Sequence, residues 1–77
     1  MNYTKLQQQF ENEVRKPIKE INPTFTVNIH TYPNIEIDFL TPSISFADEE
    51  QEKIAEYIKQ IEESYKIINS FKNKYGF

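Results

Sequence analysis

His30 is the one histidine in 77 residues, and it is the side chain whose ordinary pKa lies nearest neutrality. Two carboxylates, Glu36 and Asp38, follow it closely in the chain. A histidine beside a carboxylate can act as a general base. Catalysis would also need a nucleophile, a cleft and donors for developing negative charge, and no pattern in the sequence supplies them. Across open antiparallel strands such a pair is ordinarily a solvated cross-strand contact. That role is the one expected of His30 opposite Glu36. With one His and no Cys there is no zinc cage, and Glu36 with Asp38 on one strand face does not enclose a harder cation. Gly76 is the only glycine, so no glycine-rich phosphate loop exists. The sequence predicts no catalytic residues, no metal and no cofactor: the chain is not expected to be an enzyme.

Charge offers a different chemistry. Between Asp48 and Glu63 lie seven acids and two lysines. Asp48, Glu49, Glu52, Glu56 and Glu63 could form a surface that meets a basic protein. The ordinary alternative is a solvated helix face, with Glu49–Lys53 and Glu62–Lys66 as favourable pairs one turn apart. The segment Tyr65 to Phe77 interleaves Lys66, Lys72 and Lys74 with four rings. Interleaved bases and rings can hold single-stranded nucleic acid, but a formal net charge of -3 argues for packing instead.

Three elements must position these groups. In the first, Leu6, Phe10 and Val14 are four apart and stack on one helical face. Thr4 with Gln7 has the capping-box spacing. Pro17 removes a hydrogen bond and crowds the turn near Glu13, so the helix of residues 4–21 either kinks there or ends near Arg15, with a short further turn carrying Ile18 and Ile21. Asn22-Pro23 stops it. In the second, Phe25, Val27 and Ile29 alternate with polar residues, as do Ile35, Ile37 and Phe39. This predicts half-buried strands over 24–31 and 35–41. Pairing Ile29 with Ile37 and Val27 with Phe39 keeps the apolar set on one face and centres the turn on Pro33. A two-residue Pro33-Asn34 turn would instead set Ile29 against Asp38, which buries a carboxylate at greater cost. A bulge could reconcile the two. Residues 43–46 either extend the strand or dock on the core through Ile44 and Phe46.

The third element is a helix over 47–75. Ile54, Ile58, Ile61, Tyr65, Ile68 and Tyr75 follow a 4-3 spacing with Lys72 in the one polar slot, and Tyr57 and Phe71 widen the stripe. Acids crowd its start and lysines its end, matching the helix dipole. Ser45 or Asp48 can cap it and Gly76 can end it. Such a helix is about 40 Å long. If the first helix does not cover it, Ile68, Phe71 and Tyr75 become a seam for a second copy.

The expected fold is α+β: one domain over 1–77, a two-layer α-β-β-α arrangement. An antiparallel hairpin is covered on one face by a short N-terminal and a long C-terminal helix. His30, Glu36 and Asp38 lie on the open face. A chain this short buries a modest core. The absence of Cys, of an apolar leader and of any membrane-spanning stretch makes cytoplasm the expected compartment. The abundance of Ile, Asn, Lys and Tyr suggests an A/T-rich genome.

Val14-Arg15-Lys16, Ile18, Pro23, Phe25-Thr26-Val27 and Ile37-Asp38 together resemble the opening of a small domain family associated with large polyvalent proteins of phages and conjugative elements. The resemblance spans about a third of the chain. The family's glycine-rich hairpin tip is Tyr32-Pro33-Asn34 here, and its Trp and Asp-Gly-Pro after the second strand are replaced by Thr41-Pro42. It implies mobile-element origin and carries over no functional residues. The expected function is thus a non-enzymatic protein-binding module of phage or mobile-element origin. Its most specific form is an anti-CRISPR-like inhibitor of a host defence enzyme that binds through the acidic helix face, Asp48, Glu49, Glu52, Glu56 and Glu63, or through the open sheet face carrying His30, Glu36 and Asp38. The runner-up is an assembly protein that dimerises through the long helix, and a nucleic-acid accessory factor comes third.

Overall fold

The computed structural model describes residues 3–43, 45, 47 and 50–77. The order is a helical rod, a hairpin and a long helix. The rod has three pieces: α1 (Tyr3–Phe10), a π-helical turn (Glu11–Arg15) and α2 (Lys16–Ile21). The strands are β1 (Thr26–His30) and β2 (Glu36–Leu40), and the long helix is α3 (Gln51–Tyr75). This is the expected α+β arrangement, a two-stranded antiparallel hairpin with an N-terminal helix and a long C-terminal one.

Pro17 does not end the rod, which runs on to Ile21 with a π-helical turn just before the proline. The residues on either side of the π turn, Phe10 and Lys16, keep right-handed helical angles. The Lys16 N–H donates to Glu11 O, five residues back. The wider turn removes the clash between the proline ring and the carbonyl one turn earlier. It also explains a spacing. Leu6, Phe10, Val14 and Ile18 are all buried. Steps of four drift by about 40° each in a regular α-helix, so four such residues would spiral off the core. The π turn rotates the rod back and holds all four on one side. Thr4 lies inside α1 rather than capping it.

The hairpin register is the one alternation requires: Val27 opposite Phe39, Asn28 opposite Asp38, Ile29 opposite Ile37 and His30 opposite Glu36. Five residues, Thr31 to Ile35, make the connection, with a cis Tyr32-Pro33 peptide. The strands are shorter at both ends than the sequence predicts.

The two strands are buried unequally. Phe25, just before β1, and Val27 within it are fully enclosed. Ile35, Ile37 and Phe39 are only half-buried against the core. The rod sits beside β1. Arg15 projects from the π turn to β1's outer edge, where its Nε donates to Val27 O at 3.0 Å and its Nη2 to Asn28 Oδ1 at 3.0 Å. Glu11 holds the guanidinium at 2.7 Å. A side chain therefore satisfies one strand edge.

The long helix departs from expectation at its start and in its phase. It begins at Gln51, not 47, and Glu50 precedes it with no side-chain cap bond. Ser45 is not its cap, and Asp48, Ile44 and Phe46 lie outside the described residues. At about 37 Å it remains the longest element. Gly76 ends it in a left-handed conformation, φ 81. Its core-facing stripe is Tyr57, Ile61, Ser64, Ile68, Phe71 and Tyr75. The predicted stripe shares Tyr57, Ile61, Ile68, Phe71 and Tyr75, but it also held Ile58 and Tyr65, which are exposed, and it missed Ser64. Ser64 is fully buried, and its hydroxyl donates to Gln60 O at 2.8 Å. A small residue lets α3 approach the rod closely, and the internal hydrogen bond removes the cost of burying the hydroxyl.

The rod and α3 run antiparallel and are tied at both ends. Phe10 meets the Phe71 ring edge-on at 5.5 Å. Glu13 accepts from Lys74 Nζ and from Tyr75 Oη, each at 2.7 Å. At the other end Asn22 Nδ2 donates to Gln60 Oε1 at 3.0 Å and Gln60 Nε2 to Ile21 O at 3.3 Å. These ties correct the expected seam. Ile68 and Phe71 are buried within the chain, and Tyr75 is half-buried with its hydroxyl committed to Glu13. In this fold they pack inside the chain, so they do not form the exposed seam the sequence suggested. The part of α3 that runs past the rod is its N-terminal third, opposite to the end expected.

Candidate functional site: the groove along β2

The unequal burial of the strands leaves a groove between β2 and α3. One hollow is formed by Phe39, Leu40, Tyr65 and Ile68, and a second by Ile35, Ile37 and Phe77. Lys72 borders both. Leu40 is 63% exposed and Tyr65 50% exposed, although both are large and apolar. About two turns earlier on α3, Ile58 is 45% exposed. The phase shift caused by Ser64 turns Ile58 and Tyr65 outward. They are the two residues of the predicted stripe that stand exposed.

Four rings brace this wall. Tyr57 packs edge-on against Phe25 at 5.7 Å, Phe25 against Phe39 at 5.5 Å, and Phe39 against Tyr65 at 5.1 Å. Edge-to-face contacts fix ring orientation, so Tyr65 is exposed yet held in place. Tyr57 Oη also donates to Pro42 O at 2.7 Å, fixing the chain that leaves β2.

β2 itself pairs only with β1. Among the described residues, no other group bonds the backbone of Glu36–Leu40. β1's edge is occupied by Arg15, whereas β2's outer edge has no partner among the described residues.

The open sheet face gathers the other candidates. His30, Glu36 and Asp38 are all exposed there. His30 Nε2 bonds Asp38 Oδ2 at 2.6 Å, the diagonal neighbour, and not Glu36 directly opposite as expected. Asp38 sits beside the groove and Glu36 at its far end. Glu36 makes no ion pair among the described residues. No nucleophile adjoins the His30–Asp38 pair in the hydrogen-bond geometry.

The acidic helix face is separate. Glu52, Glu56 and Glu63 lie on one side of α3, around Ala55 and Lys59, and none is ion-paired among the described residues. The pair Glu62–Lys66 is not formed, and Asp48 and Glu49 lie outside the described residues, with the expected Glu49–Lys53 pair. The groove therefore unites Glu36 and Asp38 with Leu40 and Tyr65, and leaves the α3 acids elsewhere. Among the described residues no three His, Asp or Glu side chains converge on a metal position, and no helix is long and apolar enough to cross a membrane.

One contact outside the sequence expectations, Glu13 with Lys74 and Tyr75, is structural in a specific way. Hydrogen bonds from Lys74 and Tyr75 hold the Glu13 carboxyl below its usual range, against a smaller opposing effect of burial. The Lys74 ammonium and the Tyr75 phenol are raised in turn, chiefly by their bonds to Glu13. Nothing local in the sequence links position 13 to 74 and 75.

Set against protein-family models, curated proteins and solved structures, the chain matches none.

Proposed function

We propose that this chain is a non-catalytic protein-binding module that engages its partner through the groove along β2. The observation that carries this is the pair Leu40 and Tyr65. Both are large and exposed, Tyr65 is braced by Phe39, and they lie beside a strand edge that has no partner among the described residues. Isolated exposed apolar residues are ordinary, but clustered ones beside polar residues mark contact surfaces. A braced aromatic ring loses little entropy on binding, which is why such rings dominate interface energetics.

Carboxylates support a partner with basic character. Glu36 and Asp38 flank the groove, and Glu52, Glu56 and Glu63 make no ion pair among the described residues. In its most specific form the module is a phage- or mobile-element-encoded inhibitor of a host defence enzyme, in the anti-CRISPR manner. It would occupy a basic surface of that enzyme. The test is capture from a low-GC bacterial lysate with native chain and with the double variant Leu40→Glu, Tyr65→Glu. The native chain should enrich a protein that the variant loses, with both chains equally folded by circular dichroism. Equal capture by both would overturn the groove as the binding site.

A further inference from the structure

We propose that the outer edge of β2 docks an extended peptide segment of the partner, with Lys or Arg at alternate positions and apolar residues between them. This rests on the protein-binding role above and specifies the chemistry of what binds.

An unpaired strand edge presents a row of backbone donors and acceptors, and an added strand satisfies them. Proteins usually guard such edges with lysine, proline or a covering element. Glu36–Leu40 contains neither Lys nor Pro, and among the described residues nothing bonds its outer side. Below the edge lie the two hollows, one at Phe39 and Tyr65 and one at Ile35 and Phe77. Side chains of an added strand alternate between the two faces. Those turned toward α3 would enter the hollows. Ile35 and Phe39 are four residues apart, so inward residues two or four apart would reach both hollows at ~3.3 Å per residue. The outward residues would stand beside Glu36 and Asp38.

Charge selects the occupant. A second copy pairing β2 against β2 would put Glu36 opposite Asp38, or Asp38 opposite its own twin, depending on register. Like charges directly opposite destabilise a pair of strands, and opposite charges stabilise it. A basic strand gains where a second copy loses. Apolar residues between the bases match Phe39, Tyr65 and Ile68.

The test titrates the intact, isotope-labelled chain with a short synthetic peptide of alternating Lys and Val, followed by amide shifts and hydrogen exchange. Three controls accompany it: a block peptide of the same composition, an alternating Glu–Val peptide, and the Lys–Val peptide N-methylated along one edge. The alternating basic peptide should shift the amides of Glu36–Leu40 and slow exchange of those facing outward. The block and Glu–Val peptides should bind roughly tenfold more weakly, and methylation of the pairing edge should abolish binding. Glu36→Lys, an exposed position, should weaken the Lys–Val peptide about fivefold. Absence of binding, equal binding of the block peptide, indifference to methylation, or shifts confined to Glu52, Glu56 and Glu63 would each overturn strand docking. The capture comparison with Leu40 and Tyr65 variants does not presuppose an extended partner. Its failure would therefore be a separate result that strikes the binding role itself.

Discussion

Replacing Phe71 by Ala should come close to unfolding this protein. Phe71 is 2% exposed and packs against three other rings: Phe10 at 5.5 Å, Tyr75 at 4.5 Å and Phe77 at 5.8 Å. Removing a buried phenyl ring costs about 3–5 kcal/mol, part transfer and part cavity. A chain of this length has a total stability of roughly 4–12 kcal/mol. One substitution therefore removes about a quarter of the stability or more, because Phe71 joins α1 to the end of α3. Tyr65→Ala is the matched comparison. Its ring is half exposed and touches one neighbour, so the loss should be about 1 kcal/mol. Urea denaturation followed by far-ultraviolet circular dichroism measures both, with an unchanged slope confirming that the unfolded states are comparable. A Phe71→Ala loss under about 1 kcal/mol, or equal losses at the two sites, would refute the placement of the α3 stripe. The same experiment separates two accounts of the helix. A self-association seam would give a folded monomer when Phe71 becomes polar, whereas a core position gives an unfolded chain.

Other perturbations reach different parts of the fold. The Glu13 carboxyl lies below its ordinary value of 4.5, so its bonds to Lys74 and Tyr75 stabilise the fold above that pH and are lost as pH falls through the lowered value. Urea midpoints should therefore fall as the pH drops below 4.5 and through the lowered value, and less so in Glu13→Gln; identical acid slopes would contradict the contact. The raised Lys74 and Tyr75 values give the opposite sign, with stabilisation present below their ordinary 10.5 and 10.0 and lost as pH climbs past the raised values. Ser64→Leu should cost about 1–3 kcal/mol by overpacking the α3–rod contact, while Ser64→Ala should be nearly neutral, and the reverse order in thermal melts would show that the helices are not close there. Arg15→Lys should lose the forked bonds to β1 and about 1 kcal/mol, with faster amide exchange along Thr26–His30 as the readout.

The hairpin was the most legible part of the sequence. Alternation from Phe25 to Phe39 carries its own register, because a slip of one residue would bury Asp38. Turn preference at Pro33-Asn34 pointed elsewhere and lost to a five-residue connection. The long helix was legible in extent but not in phase. Ser64 is polar and Tyr65 aromatic, so hydrophobic spacing assigned the core to Tyr65. The structure buries Ser64 because close approach needs a small side chain, and its hydroxyl is satisfied within the helix. That single exchange decides which residues are surface, and the groove follows from it. The π turn left a trace in the strict fours of Leu6, Phe10, Val14 and Ile18, which a regular helix cannot keep on one face. The contacts of Arg15 with Val27, Glu13 with Lys74, and Asn22 with Gln60 left none. They join residues 12, 61 and 38 positions apart and depend on the assembled fold. Of the expected binding residues, Glu36 and Asp38 reach the groove by register. Leu40 and Tyr65 were missed because exposure, not residue type, makes them candidates.

The most direct test of the groove is photo-cross-linking from its wall. A photoreactive residue replaces Tyr65 in one chain and Glu56, on the acidic face of α3, in another, and each is exposed to low-GC bacterial lysate. The account predicts a covalent adduct with one foreign protein from position 65 and little from position 56. An adduct from position 56 alone, or a covalent dimer of this chain from position 65, would contradict it.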